Sequence, residues 1–483
     1  MIANNPFQAL VQQAEKRPDL PAIYYAGKVF SYAELLTLTR KVASKLSNLG
    51  IGKNHLVGLH FANPLMGWAC SLALFQIEAI SCSLTNVASI SKELIFDYYL
   101  RDNLSLDIKD PRTQSFEIDG TWIADISLSQ EHLIEQASNE EDKTCRLVMS
   151  SGSTGDAKAV PLSSKMLMSR SEIFSELDPN MGCELLLSDT SNSVGLYKAV
   201  ASLISGKPFS FGYTYEQIER DLLEVPLTNI IGSPLQLSAL VEYLEAKQYK
   251  SFGNVKRVTS VGSTLSTNLA IRLEELFAPK VNVVSIYGST ELGPVASFQS
   301  RDSDNKFCEE GHIFPFAQVE IVDKKGRQCI AEVKGEIRVK SKTMAHSYFP
   351  SDTSGGIFKD GWFYPGDLGS LTKQGFLQIL GRVGEVFNIG GVKVNPNEVD
   401  SFLLKQAGIR DALCCNVVSD NGVDELYAAV VVEEPFDLIQ LTQRTAFEFG
   451  GFFPIQLVAV KAIPQTSAGK PSRAQTRRLI LGK

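Results

Sequence analysis

Hydrophobic and polar positions along the chain alternate between two periods. Apolar residues recur at helical spacing from Phe7 to Ala14, and Ala22 to Tyr25 follows as a short apolar run that turns at Gly27 and returns through Val29 and Phe30. Ser31 and Glu34 stand at capping-box spacing ahead of the next helical pattern, which Gly50 ends. Residues 56–61 predict a buried strand, 64–76 a helix and 79–84 a further strand. Strands that alternate with helices predict a mostly parallel sheet covered by helices.

Residues 91–145 carry little pattern: 107–117 predicts a loop or sheet edge, and 138–143 a charged linker. Beyond them the alternation resumes, with a helix over 164–177, a strand at 185–187, a turn at 191–195 and a helix over 196–205 closed by Gly206. A strand and turn at 229–234, a helix over 235–247, a strand over 255–261, a helix over 269–277 and a strand over 281–286 complete this stretch. From 310 to 380 the period shortens to two, and 317–322, 335–340 and 376–380 read as strands. The pattern then restarts as a smaller unit: 392–394, a helix over 396–406, strands over 412–418 and 425–432, a helix over 438–449 and a strand over 457–462. The expected fold is α/β. A large N-terminal domain of layered, mostly parallel sheets and helices with a β-rich subdomain spans 1–383, and a small mobile C-terminal α/β domain spans 384–483.

Composition narrows the function. The chain has 483 residues, 44% hydrophobic and 21% charged, the balance of a soluble globular protein too long for one core. Its formal net charge of −7 argues against nucleic acid as a partner. No apolar run approaches the ~20 residues of a membrane span, and the start lacks the basic-then-apolar order of a signal peptide. Eight cysteines lie scattered without a C-x-x-C pair or zinc spacing, which fits a reducing, cytoplasmic location.

Five stretches carry candidate chemistry. Ser150, Ser151, Gly152, Ser153, Thr154, Gly155 and Lys158 follow an apolar run and combine hydroxyls, flexible backbone and a cation, which suits phosphates. Only Ser153 and Thr154 separate the two glycines, so this is not a Walker A loop, and alone it also reads as a polar surface turn. At the end of the 281–286 strand stand Tyr287, Gly288, Ser289, Thr290 and Glu291: a ring to stack on a purine, a hydroxyl for phosphate and a carboxylate for Mg²⁺. A helix N-terminus with a capping hydroxyl is the plainer reading there. Asp367, in a glycine-flanked turn, suits a ribose diol or is a simple turn residue. Gly381 and Arg382 close a strand, and Lys470 sits in a Gly/Ser-rich tail that is either disordered or delivered to a nucleotide site.

Taken together, these stretches resemble the adenylate-forming superfamily of acyl-CoA synthetases, adenylation domains and luciferases, across nearly the whole chain. The resemblance implies ATP, Mg²⁺ and coenzyme A, with a small carboxylate as substrate. ATP and the carboxylate would give an acyl-adenylate and pyrophosphate, and a thiol would then displace AMP. Ser150 to Lys158 would form the phosphate loop, Gly262 and Ser263 would lie on the adenosine, and Tyr287 to Thr290 would form the adenine and phosphate motif. Glu291 would hold Mg²⁺, Asp367 the ribose, Arg382 the ribose and phosphate, and Lys470 would be the catalytic lysine. Asn192, Val194, Gly195, Ser233, Gly262 and Gly288 are pocket candidates for the acid.

The chain departs from the family pattern at Ala157 and Ala159 around Lys158, at Pro365 in place of threonine, and at Gly384 in place of the hinge aspartate. No His or aromatic gate stands near Ser191, Asn192 and Ser193, and Asp189 is poorly spaced for an amino-acid ammonium. The expectation is a fatty or aryl carboxylate. A phosphopantetheinylated acyl carrier protein is the alternative acceptor, a non-catalytic adenylate-binding protein the alternative class, and monomer and homodimer both stay open.

Overall fold

Helix starts follow local chemistry. Ser31 Oγ accepts from the Glu34 N–H at 3.2 Å while the Glu34 carboxylate accepts from the Ser31 N–H at 2.8 Å, opening the helix Tyr32–Asn48. Ser233 and Gln236 cap Pro234–Ala246 in the same reciprocal way. The computed structural model describes residues 3–84, 94–105, 108, 110–124, 142–150, 158–177, 182–212, 214–249, 251–277, 281–301, 310–350, 356–383, 387–389, 392–418, 424–433, 435–449, 455–466 and 471–482.

Among these residues, nine strands form one sheet. Its middle runs Asn282–Ser289, Arg257–Val261, Leu227–Gly232, Cys183–Leu186, Phe209–Phe211 and Pro21–Tyr25, with every adjacent pair parallel. Antiparallel strands close both edges: Gly293–Gln299 and His312–Ile313 at one, Lys28–Ser31 at the other. A second sheet orders Gln114–Glu117, Tyr98–Arg101, Leu56–His60, Ile80–Ser83, Thr144–Ser150 and Lys158–Ser163. Only its last pair is antiparallel. The largest core cluster lies between the two and fills with residues such as Leu10, Trp68, Leu167, Phe174, Leu196, Phe209 and Ile231.

The β-rich part is an antiparallel sheet built on Gly335–Ser341, which pairs with Ala317–Val322, Trp362–Phe363 and Asp367–Leu371; the last pairs on with Leu377–Arg382. Past residue 392, strands Ile409–Val418, Asp424–Val432 and Ile455–Ala459 carry helices Pro396–Leu404, Leu438–Glu448 and Arg473–Ile480. This unit buries apolar residues of its own, among them Val399, Leu403, Cys414, Leu426, Val430 and Ile455. It touches the rest through polar links, including Asn395 Nδ2 to the Leu380 carbonyl at 2.7 Å and Asn268 Nδ2 to the Ile409 carbonyl at 3.0 Å.

Several details differ from expectation. Residues 158–163 form a strand, because Lys158 pairs back across Ser150 and the segment runs antiparallel to Thr144–Ser150. Residues 193–195 are the first turn of the helix Ser193–Ser205, with Asn192 as its cap, rather than a free turn. The final strand lies two residues earlier than its apolar pattern, since Leu426 pairs with Ile455. The helices Tyr215–Glu224 and Arg473–Ile480 are additional.

Candidate active site

Several of the predicted site residues gather at the carboxyl ends of the parallel strands, where open α/β sheets bind ligands. Tyr287 to Ser289 end one strand, Gly262 follows a second, Ser233 a third, and the turn at 189–192 a fourth. The strand Asn282–Ser289 turns straight back into Gly293–Gln299, so Tyr287 to Glu291 form a hairpin end and not a helix N-terminus. Gly288 is required there, since a Cβ would sit 2.3 Å from the Gly293 carbonyl oxygen. Gly262 has φ 104° and open space where a Cβ would stand, so a ligand can approach its backbone. Ser263 beside it is half-buried.

The β-rich sheet brings Asp367 and Arg382 to this edge as direct cross-strand partners. Tyr287 Oη donates to Asp367 Oδ2 at 2.6 Å, and Arg382 Nε pairs with Asp367 Oδ1 at 3.1 Å. Burial, reinforced by the Asp367 charge, pushes the Tyr287 phenol well above its usual pKa, so it stays a donor. Arg382 Nη1 also donates to the Pro365 carbonyl at 2.6 Å. Pro365 therefore lacks the hydroxyl of a threonine yet keeps its acceptor in the site. The row of phenol, carboxylate and guanidinium offers both donors and an acceptor to a diol.

Glu291 is buried, and its carboxylate Oε1 accepts from Tyr348 Oη at 2.7 Å. Among the described residues its Oε2 takes no hydrogen bond, and no cluster of three His, Cys, Asp or Glu could cage a metal. One carboxylate oxygen with phosphate oxygens is the donor set Mg²⁺ prefers, so Glu291 fits that ion. Lys158 Nζ stands 4.8 Å over the Tyr348 ring. Ser150 is buried at the opposite stem of the glycine loop. Ser151, Gly152, Ser153, Thr154, Gly155 and Lys470 lie outside the described residues, as do Ala157 and Gly384.

Two buried arginines that motif reading missed hold this framework. Arg170 donates to the carbonyls of Thr290 (2.8 Å), Glu291 (2.8 Å) and Thr343 (2.6 and 2.9 Å) and to Tyr197 Oη (2.6 Å). Arg146 donates to the hydroxyls of Ser71, Ser81 and Ser83 and to the Thr190 carbonyl at 2.8 Å. It thereby ties the strand that leads into the glycine loop to the turn at 189–192. A signal existed: Arg170 falls at core spacing between Leu167 and Phe174, and Arg146 interrupts an apolar strand.

Apart from Gly262, the acid-pocket candidates have local duties. Asn192 Oδ1 caps Ser193–Ser205 by accepting from the Gly195 N–H at 3.0 Å. Gly195 packs on the Asp189 carbonyl, where a Cβ would fall at 1.8 Å. Val194 is half-buried against the main core, and Ser233 caps its helix. Asp189 accepts from the Ser191 N–H at 2.8 Å and from its hydroxyl.

The fold and this polar row define an α/β protein with Tyr287, Asp367 and Arg382 gathered at the edge of its parallel sheet. The chain belongs to the AMP-binding enzyme family, whose model matches residues 97–349. It is similar to the 2-succinylbenzoate–CoA ligase of Listeria monocytogenes, 24% identical over 96% of this chain and 97% of that protein. It is also similar to the oxalate–CoA ligase of Arabidopsis thaliana, 25% identical over 95% of each. In fold it matches O-succinylbenzoate coenzyme A synthetase from Bacillus subtilis, solved in complex with ATP and magnesium ion. The TM-score there is 0.81 at 21% identity, over 97% of this chain and 99% of that one. The expected place in the adenylate-forming superfamily is borne out. Among the described residues no helix is long and apolar enough to cross a membrane.

Proposed function

We propose that this chain activates a carboxylic acid with ATP and passes the acyl group to the thiol of coenzyme A. The observation that carries the reading is the row Tyr287, Asp367 and Arg382 beside the buried Glu291, at the strand ends of an AMP-binding enzyme. A carboxylate oxygen attacks the α-phosphorus, the bond to the bridging oxygen breaks, and pyrophosphate leaves. The thiolate then attacks the acyl carbon, and AMP leaves with the carboxylate oxygen. Such chemistry depends on positioning and charge stabilisation.

Tyr287 and Gly262 frame the adenosine, and Asp367 with Arg382 takes the ribose. Glu291 would hold Mg²⁺, which supplies countercharge to the phosphates when bound. The glycine loop, with Thr154, cradles the β- and γ-phosphates. Lys470 sits in a unit spanning 384–483 that turns about Arg382 and Gly384, and it steadies the charge between carboxylate and α-phosphate. The aryl acid in the name of the Listeria relative supports an aryl or fatty carboxylate as substrate. A cytoplasmic location suits the pool of ATP and coenzyme A.

The test is carboxylate-dependent ATP–pyrophosphate exchange over fatty, aryl and amino acids. Lys470→Ala should lower exchange by roughly 10²–10³. ATP binding without exchange for any acid would overturn the reading.

A further inference from the structure

We propose that Tyr348 is a positioning residue: it sets the Glu291 carboxylate for a divalent cation and couples it to Lys158 at the stem of the glycine loop. This rests on the reading of Glu291 as the residue that faces Mg²⁺–nucleotide.

The placement is specific. Residues 345–349 are stitched across the site. The Ala345 N–H donates to the Glu291 carbonyl at 2.7 Å, and the Phe349 N–H donates to the Ala159 carbonyl at 2.9 Å. Between these anchors the Tyr348 ring is held edge-on to Phe358, with centroids 5.5 Å apart. Its hydroxyl donates to Glu291 Oε1, and its face carries the Lys158 ammonium. One side chain thus contacts the proposed metal-bearing carboxylate and the cation that opens the strand after the loop.

The chemistry follows. The bond is one-way, since a carboxylate oxygen accepts and the Tyr348 hydroxyl donates to it at 2.7 Å. That bond immobilises Oε1 and leaves Oε2 to meet a cation. The aromatic face holds the Lys158 ammonium through a cation–π contact at 4.8 Å. Partners that orient a metal-bearing side chain are typically worth 10–100-fold in metal affinity.

Tyr348→Phe separates the roles, because it removes the hydroxyl and keeps the ring under Lys158 and against Phe358. Calorimetric binding of ATP is measured across a Mg²⁺ series and in EDTA. For the parent protein, ATP affinity should rise with Mg²⁺. For Tyr348→Phe, the Mg²⁺ midpoint should rise roughly 10–100-fold, while binding in EDTA stays within about twofold, which also reports an intact site. Glu291→Gln should remove the Mg²⁺ response, and adding Tyr348→Phe to it should then change nothing. An unshifted midpoint in Tyr348→Phe, an equal loss with and without Mg²⁺, or additive effects in the double variant would overturn the proposal. A parent protein whose ATP affinity ignores Mg²⁺ would instead sink the reading of Glu291, and this proposal with it.

Discussion

Arg170→Met tests how this site is held. The guanidinium is fully buried, and among the described residues it meets no carboxylate, only the three carbonyls and one phenol described above. Two effects compete in the variant. Removing an unpaired buried cation relieves a desolvation cost of several kcal/mol. Removing its donors orphans the carbonyls of Thr290, Glu291 and Thr343, at about 1–3 kcal/mol each. Methionine fills the stem but has no N–H, and the fully buried stem runs close under Gly293, 3.3 Å from where a Cβ would stand. Water therefore has little room to replace the donors. We expect the orphaned carbonyls to win, with a net loss of about 2–4 kcal/mol. Arg170→Lys keeps the charge with fewer donors and should fall between. The assay is urea unfolding followed by tryptophan fluorescence, paired with Mg²⁺–ATP affinity, because the Thr290 and Glu291 carbonyls lie in the site. A methionine variant as stable as the parent, with the lysine variant less stable, would refute the reasoning, since desolvation would then dominate.

Gly195→Ala should cost about 3 kcal/mol or more through overpacking against the Asp189 carbonyl; an unchanged urea midpoint would contradict it. Glu184 and Lys198 form a buried pair at 2.8 Å, so Glu184→Gln alone should cost about 3–5 kcal/mol. The double variant with Lys198→Met should recover at least half of that, and strict additivity in the cycle would deny the coupling. Burial, with Glu242 adding to it, pushes the Asp411 carboxyl up to about 6. An acid with a raised pKa holds its proton more tightly when folded, so stability is lost as pH rises from about 4 to 6. Asp411→Asn should therefore gain about 1 kcal/mol at pH 7.5, after discounting for partial exposure, and gain nothing near pH 4, as thermal melts at both pH values would read.

Local chemistry was legible where a residue's partner lies within a turn of chain. The capping box of Ser31 and Glu34, the left-handed Gly206 after its helix and the half-buried alternation of 317–322 and 335–340 all came out as read. The strand ends bearing Tyr287 and Gly262 were legible for the same reason. Contacts across long sequence separations were not. Tyr287 and Asp367 are 80 residues apart, and Arg170 and Thr290 are 120 apart. No periodicity encodes such meetings, since side-chain pattern specifies a face and not its occupant. Tyr348 was hidden in the same way: it follows the strand Gly335–Ser341 in an irregular segment anchored through the Ala345 and Phe349 N–H groups.

The polar contacts also explain how the three sheets are held in one arrangement. Apolar packing between sheets is non-directional and leaves neighbouring layers several orientations of similar energy. A guanidinium or carboxylate bonded at fixed angles removes that freedom. Arg146 binds the six-stranded sheet to the turn at 189–192, Arg170 binds a covering helix to the 290–291 hairpin end and to Thr343, and Asp367 binds the β-rich sheet to Tyr287. Two of these ties, at the 290–291 hairpin end and at Tyr287, end at groups beside the proposed nucleotide. A nucleotide that takes up Asp367 and Arg382 must therefore exchange contacts that also align two sheets, which couples ligand binding to the relative position of the β-rich sheet.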